Sequence, residues 1–221
     1  MPHQTAQINW RENGTPVSTQ FDDPYFSLAG GLAETDHVFL AGNNLPARFR
    51  DAFSIAELGF GTGLNMLAAL RSYRASGRTG VLHFTSFEAF PMQADDMAQA
   101  LSVFDGLEAG FLVEQWTGDT VVVTTPNLRA EIIVGDARET LPQWGGFADA
   151  WFLDGFSPAK NPELWSEDIL LEVGKHTHPN GTFATYTAAG HVRRSLAAAG
   201  FEVERIQGFG RKRHMSVGRL T

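Results

Sequence analysis

Asp154 ends the apolar run Asp149-Ala150-Trp151-Phe152-Leu153 and is followed by Gly155-Phe156-Ser157-Pro158. A strand-terminal acid before Gly-aromatic-x-Pro resembles the Asp/Asn-Pro-Pro-Tyr loop of enzymes that methylate amine nitrogens. A free alkylamine is mostly protonated at neutral pH, with a lysine-like pKa of ~10.4. A carboxylate can hold such an amine, orient its lone pair and take up its proton. The Phe156 ring suits a flat substrate and a cationic transition state. The alternative is an Asp that only caps the next turn.

Glu57-Leu58-Gly59-Phe60-Gly61-Thr62-Gly63-Leu64-Asn65 is a second candidate. Glycines allow a tight turn and let a ligand approach the backbone. The spacing is G-x-G-x-G, not the G-x-G-x-x-G of dinucleotide binders. Glu57, just before the glycines, fits a nucleoside–amino-acid cofactor better than a pyrophosphate. Glu88 lies 25 residues after Gly63, where an open α/β sheet places a carboxylate for two ribose hydroxyls. Gly135-Asp136-Ala137 could read an adenine, through the Asp136 carboxylate and the Ala137 N–H. Each feature also has a plain reading as a turn or a solvated strand end.

Two histidines, His176 and His178, would diverge on a helix, so no metal site is expected. With no cysteine in 221 residues, disulfides, thiolate metal sites and cysteine nucleophiles are excluded. No apolar run approaches a membrane span of ~20 residues. The first seven residues lack the basic and apolar regions of a signal peptide, which suggests the cytoplasm. Net charge is −8, but residues 1–159 hold 8 basic and 19 acidic residues and residues 160–221 hold 9 and 6. An acidic total therefore does not exclude a nucleic-acid partner for the basic C-terminal part.

The elements that must position these groups follow from periodicity. Residues 1–50 read as an N-terminal extension of short strands and loops, with one apolar stretch at His37–Leu40. Residues 51–221 read as the main domain, with strands at 54–58, 81–88, 120–125, 128–134, 149–154, 181–187, 201–206 and 215–220. Helices are expected from Leu64, from Pro91 to about Phe104, and over 107–117, 166–173 and 188–199. Strands alternating with helices point to an open, mostly parallel α/β sheet. The last two strands lack a crossover helix and must be antiparallel neighbours. That ending is characteristic of the Rossmann-like sheet of class I methyltransferases that use S-adenosylmethionine.

Several segments together resemble the methyltransferase domain of the bacterial tRNA wobble-uridine enzyme MnmC and its stand-alone MnmD-like relatives. They include Gly14–Ser18, Phe21–Ser27, Gly31–Thr35, Gly59–Asn65, Phe84–Pro91, Trp151–Pro162, Ala189–Arg194 and Gly208–Arg213. The resemblance implies methyl transfer from S-adenosylmethionine to the amine of 5-aminomethyl-(2-thio)uridine at the tRNA wobble position. It implies a cofactor pocket at Glu57, Gly59, Phe60, Gly61, Gly63, Asn65, Glu88, Asp136, Ala137 and Asp154. Asp154 would hold the amine, Phe156 and Pro158 would shape its loop, and Tyr25 would close over the site. Lys160, Arg193, Arg194, Arg211, Lys212 and Arg213 would meet tRNA phosphate. No membrane partner and no metal are implied. The family's bifunctional form carries a flavin-dependent oxidase domain; 221 residues leave no room for it, so no FAD is expected here, and either separate enzymes supply the aminomethyl precursor or this sequence is a fragment of a bifunctional enzyme. Competing readings are an N-methyltransferase of a small-molecule or protein amine, and a non-catalytic nucleotide- or RNA-binding module.

Overall fold

The computed structural model describes residues 4–27, 30–117 and 121–221. Thr120, expected to open a strand, and Met1-Pro2-His3 of the N-terminal reading lie outside them. β1 (Ile8–Trp10), β2 (Pro16–Ser18) and β3 (Asp23–Pro24) pair antiparallel as a small sheet. Next comes α1 (Gly31–Thr35), and the chain stays helical to Asn43. The stretch His37–Leu40 is thus helical, not strand or loop. Val38, Phe39 and Leu40 are buried in the main core. Four adjacent residues carry no decisive period, and here packing decides.

The main sheet follows: β4 (Ser54–Leu58), α2 (Leu64–Ala75), β5 (Leu82–Glu88), α3 (Ala94–Leu101), α4 (Gly110–Gln115), β6 (Val121–Thr125) and β7 (Leu128–Val134). Then come α5 (Ala137–Thr140), β8 (Ala148–Leu153), α6 (Glu167–Lys175), β9 (Thr177–Thr185), α7 (Gly190–Ala198), β10 (Phe201–Gln207) and β11 (His214–Leu220). The eight strands lie in the order β10-β11-β9-β8-β4-β5-β7-β6. Neighbours are parallel from β9 to β7, while β11 runs antiparallel to both β10 and β9, and β6 to β7. The expected parallel sheet with a closing antiparallel hairpin is present, and β11 inserts between β10 and β9.

Some boundaries differ from the sequence expectation. Pro91 precedes α3 instead of sitting in its first turn, and its carbonyl accepts a bond from the Ala6 N–H. The short helix α5 was not expected; it starts with Asp136 as cap. His176 follows α6 and His178 lies on β9, so they do not share a helix.

From Ile55 to Leu58 in β4 and along β8 the residues are buried on both faces and mostly apolar, as a parallel sheet covered by helices requires. In β8, Ala150 and Phe152 enter one core while Trp151 and Leu153 enter the other. Glu57 is the exception in β4: it is fully buried beside its register partner Ser86. The strand order reverses at β4, between β5 and β8, and ligands bind outside the carboxyl ends at such a point.

Candidate active site

A cleft of about 1150 Å³ opens at the carboxyl ends of β4, β5 and β8. Gly59, Phe60 and Gly61, Glu88, Asp136 and Ala137, and Asp154 to Ser157 line it. The small N-terminal sheet and α1 supply its outer wall through Phe21, Tyr25 and Glu34.

The glycine loop is shaped by close backbone packing. Gly59 has φ +83°, and a Cβ there would lie 2.9 Å from the Gly155 Cα. The turn thus brings the β4 loop against the β8 loop. Glu88 ends β5 and accepts N–H bonds from Gly61 at 2.9 Å and from Phe90 at 2.8 Å. Burial raises its pKa, against the lowering effect of those N–H groups.

Beneath the loop lies a polar chain. The Asn65 Nδ2 donates to Glu57 Oε1 at 2.9 Å and to Asp154 Oδ2 at 2.7 Å. The Asn65 Oδ1 accepts from Thr35 Oγ1 at 2.8 Å, and Ser86 Oγ donates to Glu57 Oε2 at 2.7 Å. Burial pushes Glu57 well above the ordinary carboxylate range. Burial likewise brings Asp154 up to about 7, opposed by the Asn65 donor, the Gly155 N–H and the charge of Lys212. Asp154 is therefore fixed in place and poised to exchange a proton near neutral pH.

Aromatic rings cover the other side. Phe156 stacks on Phe21 at 4.7 Å and meets Tyr25 edge-on at 5.1 Å. The loop carrying Phe156 is tied to β3: Ser157 N–H donates to Asp23 Oδ2 at 2.9 Å, and Lys160 Nζ bonds the Asp22 carbonyl. Tyr25 is largely buried, and that burial together with Glu88 raises its phenol pKa.

Other predicted residues fall elsewhere. Glu57 lies below the cleft and reaches it only through Asn65. Gly63 and Pro158 are outside its walls. Asp136 accepts the Arg138 N–H at 2.9 Å and pairs with the Arg138 guanidinium at 2.6 Å, which holds it below the usual carboxylate range. Lys160 pairs with Asp22 and Asp23. Arg194, Arg211 and Arg213 are exposed, and Arg193 is half-buried on α7. Lys212 turns into the cleft and pairs with Glu34 at 2.9 Å. The sequence reading missed Glu34, Thr35, Ser86, Arg138 and Tyr186. Tyr186 follows β9 directly and donates to the Gly155 carbonyl at 2.8 Å; its place after a strand beside β8 was the available signal. Among the described residues no group of three or more His, Asp or Glu is placed to hold a metal ion, and no helix is long and apolar enough to cross a membrane.

Comparison with known proteins places this geometry among its relatives. A family model described as S-adenosyl-L-methionine-dependent methyltransferase matches residues 102–221. The chain is 44% identical over 233 residues to the tRNA 5-methylaminomethyl-2-thiouridine biosynthesis bifunctional protein MnmC of Aeromonas hydrophila, covering 96% of this chain and 35% of that protein. The like-named protein of Chromobacterium violaceum is 44% identical over 231 residues, covering 99% of this chain and 35% of that protein. The chain thus spans about a third of the length of these curated relatives, and the resemblance read from its motifs holds. Among solved structures, MNMC2 from Aquifex aeolicus superimposes with a TM-score of 0.80 at 28% identity, over 99% of this chain and 71% of that one. TrmN from Thermus thermophilus shares the fold at a TM-score of 0.51 and 16% identity, over 82% of this chain and 47% of that one.

Proposed function

The chain belongs to the family of S-adenosyl-L-methionine-dependent methyltransferases, and from that premise we propose that it methylates the primary amine of 5-aminomethyl-(2-thio)uridine at the tRNA wobble position. The observation that carries the reading is Asp154, held by Asn65 on the cleft wall beside the glycine loop and under an aromatic cover. The chain's 44% identity to two MnmC proteins supports the choice of substrate. The cytoplasm is the setting this implies.

The residues present fit the cofactor. A Cβ at Gly61 would lie 3.3 Å from the Tyr25 ring across the cleft, so the bare loop leaves a cradle there, and Glu88 and Asp154 make the adjoining lining acidic where a pyrophosphate would demand donors and positive charge. Gly59, Phe60 and Gly61 form the cradle, Glu88 takes the ribose hydroxyls, and Asp136 with the Ala137 N–H takes the adenine. When bound, S-adenosyl-L-methionine supplies an electrophilic methyl group on a sulfonium centre. Asp154 receives a proton from the substrate ammonium and leaves the nitrogen lone pair free. Moving a proton from a group of pKa ~10.4 to a carboxyl near 7 costs about 5 kcal/mol, against about 9 kcal/mol for an ordinary Asp. Burial of Asp154 therefore removes close to half of that cost. Phe156 stacks on the flat uracil, and the exposed Arg194, Arg211 and Arg213 meet backbone phosphate.

The test is transfer of labelled methyl to tRNA carrying 5-aminomethyl-uridine. Incorporation at the wobble nucleoside is the expected result. No incorporation, with methylation of free amines or of a protein instead, overturns the substrate.

A further inference from the structure

Lys212 belongs to the basic run Arg211-Lys212-Arg213, yet its side chain leaves the run and enters the cleft. Its Nζ lies 2.9 Å from Glu34 Oε1 and 4.2 Å from the centre of the Tyr186 ring. A carboxylate and an aromatic face converging on one ammonium make a cation cage. The two walls are fixed. Tyr186 is tied by its hydroxyl to the Gly155 carbonyl at 2.8 Å and meets Trp165 edge-on at 6.1 Å. The Glu34 side chain, on α1, is only 13% exposed. The occupant is the more exposed member: Lys212 sits between β10 and β11 on a four-carbon stem, with 46% of its side chain exposed.

The cage also has a meaningful position. Gly155, which anchors Tyr186, is the residue after Asp154. Glu34, Tyr186, Lys212 and Asp154 all line the same cleft. We propose that Glu34 and Tyr186 form the subsite that receives the substrate amine as its ammonium, and that Lys212 is a resident competitor displaced when the substrate enters. This rests on the amine-acceptor reading above. An alkylamine is protonated in water near pH 7, so the cage accepts the form that is present. Glu34 takes N–H bonds and Tyr186 covers the cation. One N–H bond then breaks as an O–H bond forms on Asp154, and its electron pair stays on nitrogen as the lone pair. No oxidant or reductant is involved.

The experiment uses the full chain with 15N-labelled lysine, the Lys212 ζ-ammonium signal being assigned from Lys212→Arg. Millimolar 5-aminomethyluridine shifts or broadens that signal, whereas uridine leaves it unchanged. Calorimetry gives Lys212→Met about tenfold tighter binding of 5-aminomethyluridine than the wild type, since an internal competitor is gone. Glu34→Gln in that background reverses the gain. No response of the Lys212 signal, an equal response to uridine, or equal affinity of Lys212→Met and wild type overturns the subsite. These readouts need no tRNA and no turnover. Loss of tRNA methylation with displacement intact removes the wobble-uridine reading alone. Intact tRNA methylation with KM unchanged in Glu34→Gln removes the subsite alone.

Discussion

Asp154 carries two separable consequences. As a proton acceptor it works ionised, so the single-turnover rate of methyl transfer should rise with pH through about 7, the value to which burial brings it. Asp154→Asn should lower that rate by ~10²–10⁴-fold, while calorimetry finds cofactor affinity within a few-fold of wild type. Near-normal turnover would remove Asp154 from the chemistry. The second consequence concerns stability. A carboxyl whose folded pKa is raised contributes stability that is fully present below its unfolded value of ~3.9 and is lost as pH rises through the folded value near 7. Asp154→Asn should therefore stabilise the fold more at pH 8 than at pH 4, by about 4 kcal/mol in urea denaturation. An equal effect at both pH values would contradict the burial argument. In the sequence Asn65 is legible only as an early residue of the expected helix and as a member of the implied cofactor pocket. Its role as a bridge between Glu57 and Asp154 depends on atoms 8 and 89 residues away along the chain. Asn65→Leu should cost about 2–4 kcal/mol, because buried Glu57 loses a donor.

The glycine loop is an element whose geometry the sequence announces. A strand, a G-x-G-x-G turn and an amphipathic helix are all readable from residues 54–75, and β4 (Ser54–Leu58) matches the expected range residue for residue. Gly59→Ala should lower cofactor affinity by at least tenfold and stability by about 1–3 kcal/mol, because a Cβ collides with Gly155 Cα in a backbone of positive φ. Calorimetry and thermal unfolding measure the two effects; unchanged affinity would show that the loops do not touch during binding. The N-terminal segment departs from its local signals over residues 31–43. The helix over 31–43 lacks a side-chain N-cap and contains Gly31 and Gly42, so local signals favour turns. Packing of Val38, Phe39 and Leu40 onto the sheet overrides them. The short α5 was hidden for a similar reason, since its four residues are too few to show a period.

At the scale of the whole molecule, the charge asymmetry takes on a spatial meaning. The acidic excess includes Glu34, Glu88, Asp136 and Asp154 around the cleft, and the exposed cations Arg194, Arg211 and Arg213 lie in the basic C-terminal part. Reversing these three arginines to Glu should weaken tRNA binding at every salt concentration. It should also flatten the plot of log affinity against log salt by about one per lost phosphate contact. An unchanged slope would place the tRNA elsewhere on the surface. Lys212 differs from these three in the structure, because its ammonium pairs with Glu34 and faces the Tyr186 ring.

The sequence by itself determined the sheet class, its antiparallel close, the glycine turn and the strand-end carboxylates, because these depend on local period, turn chemistry and chain order. Tertiary structure alone decided which groups touch. It buried Glu57, joined it to Asp154 through Asn65, and turned Lys212 from the basic run onto Glu34, 178 residues away. Contacts between residues so far apart are selected by packing and desolvation of the folded chain, and no local spacing records them.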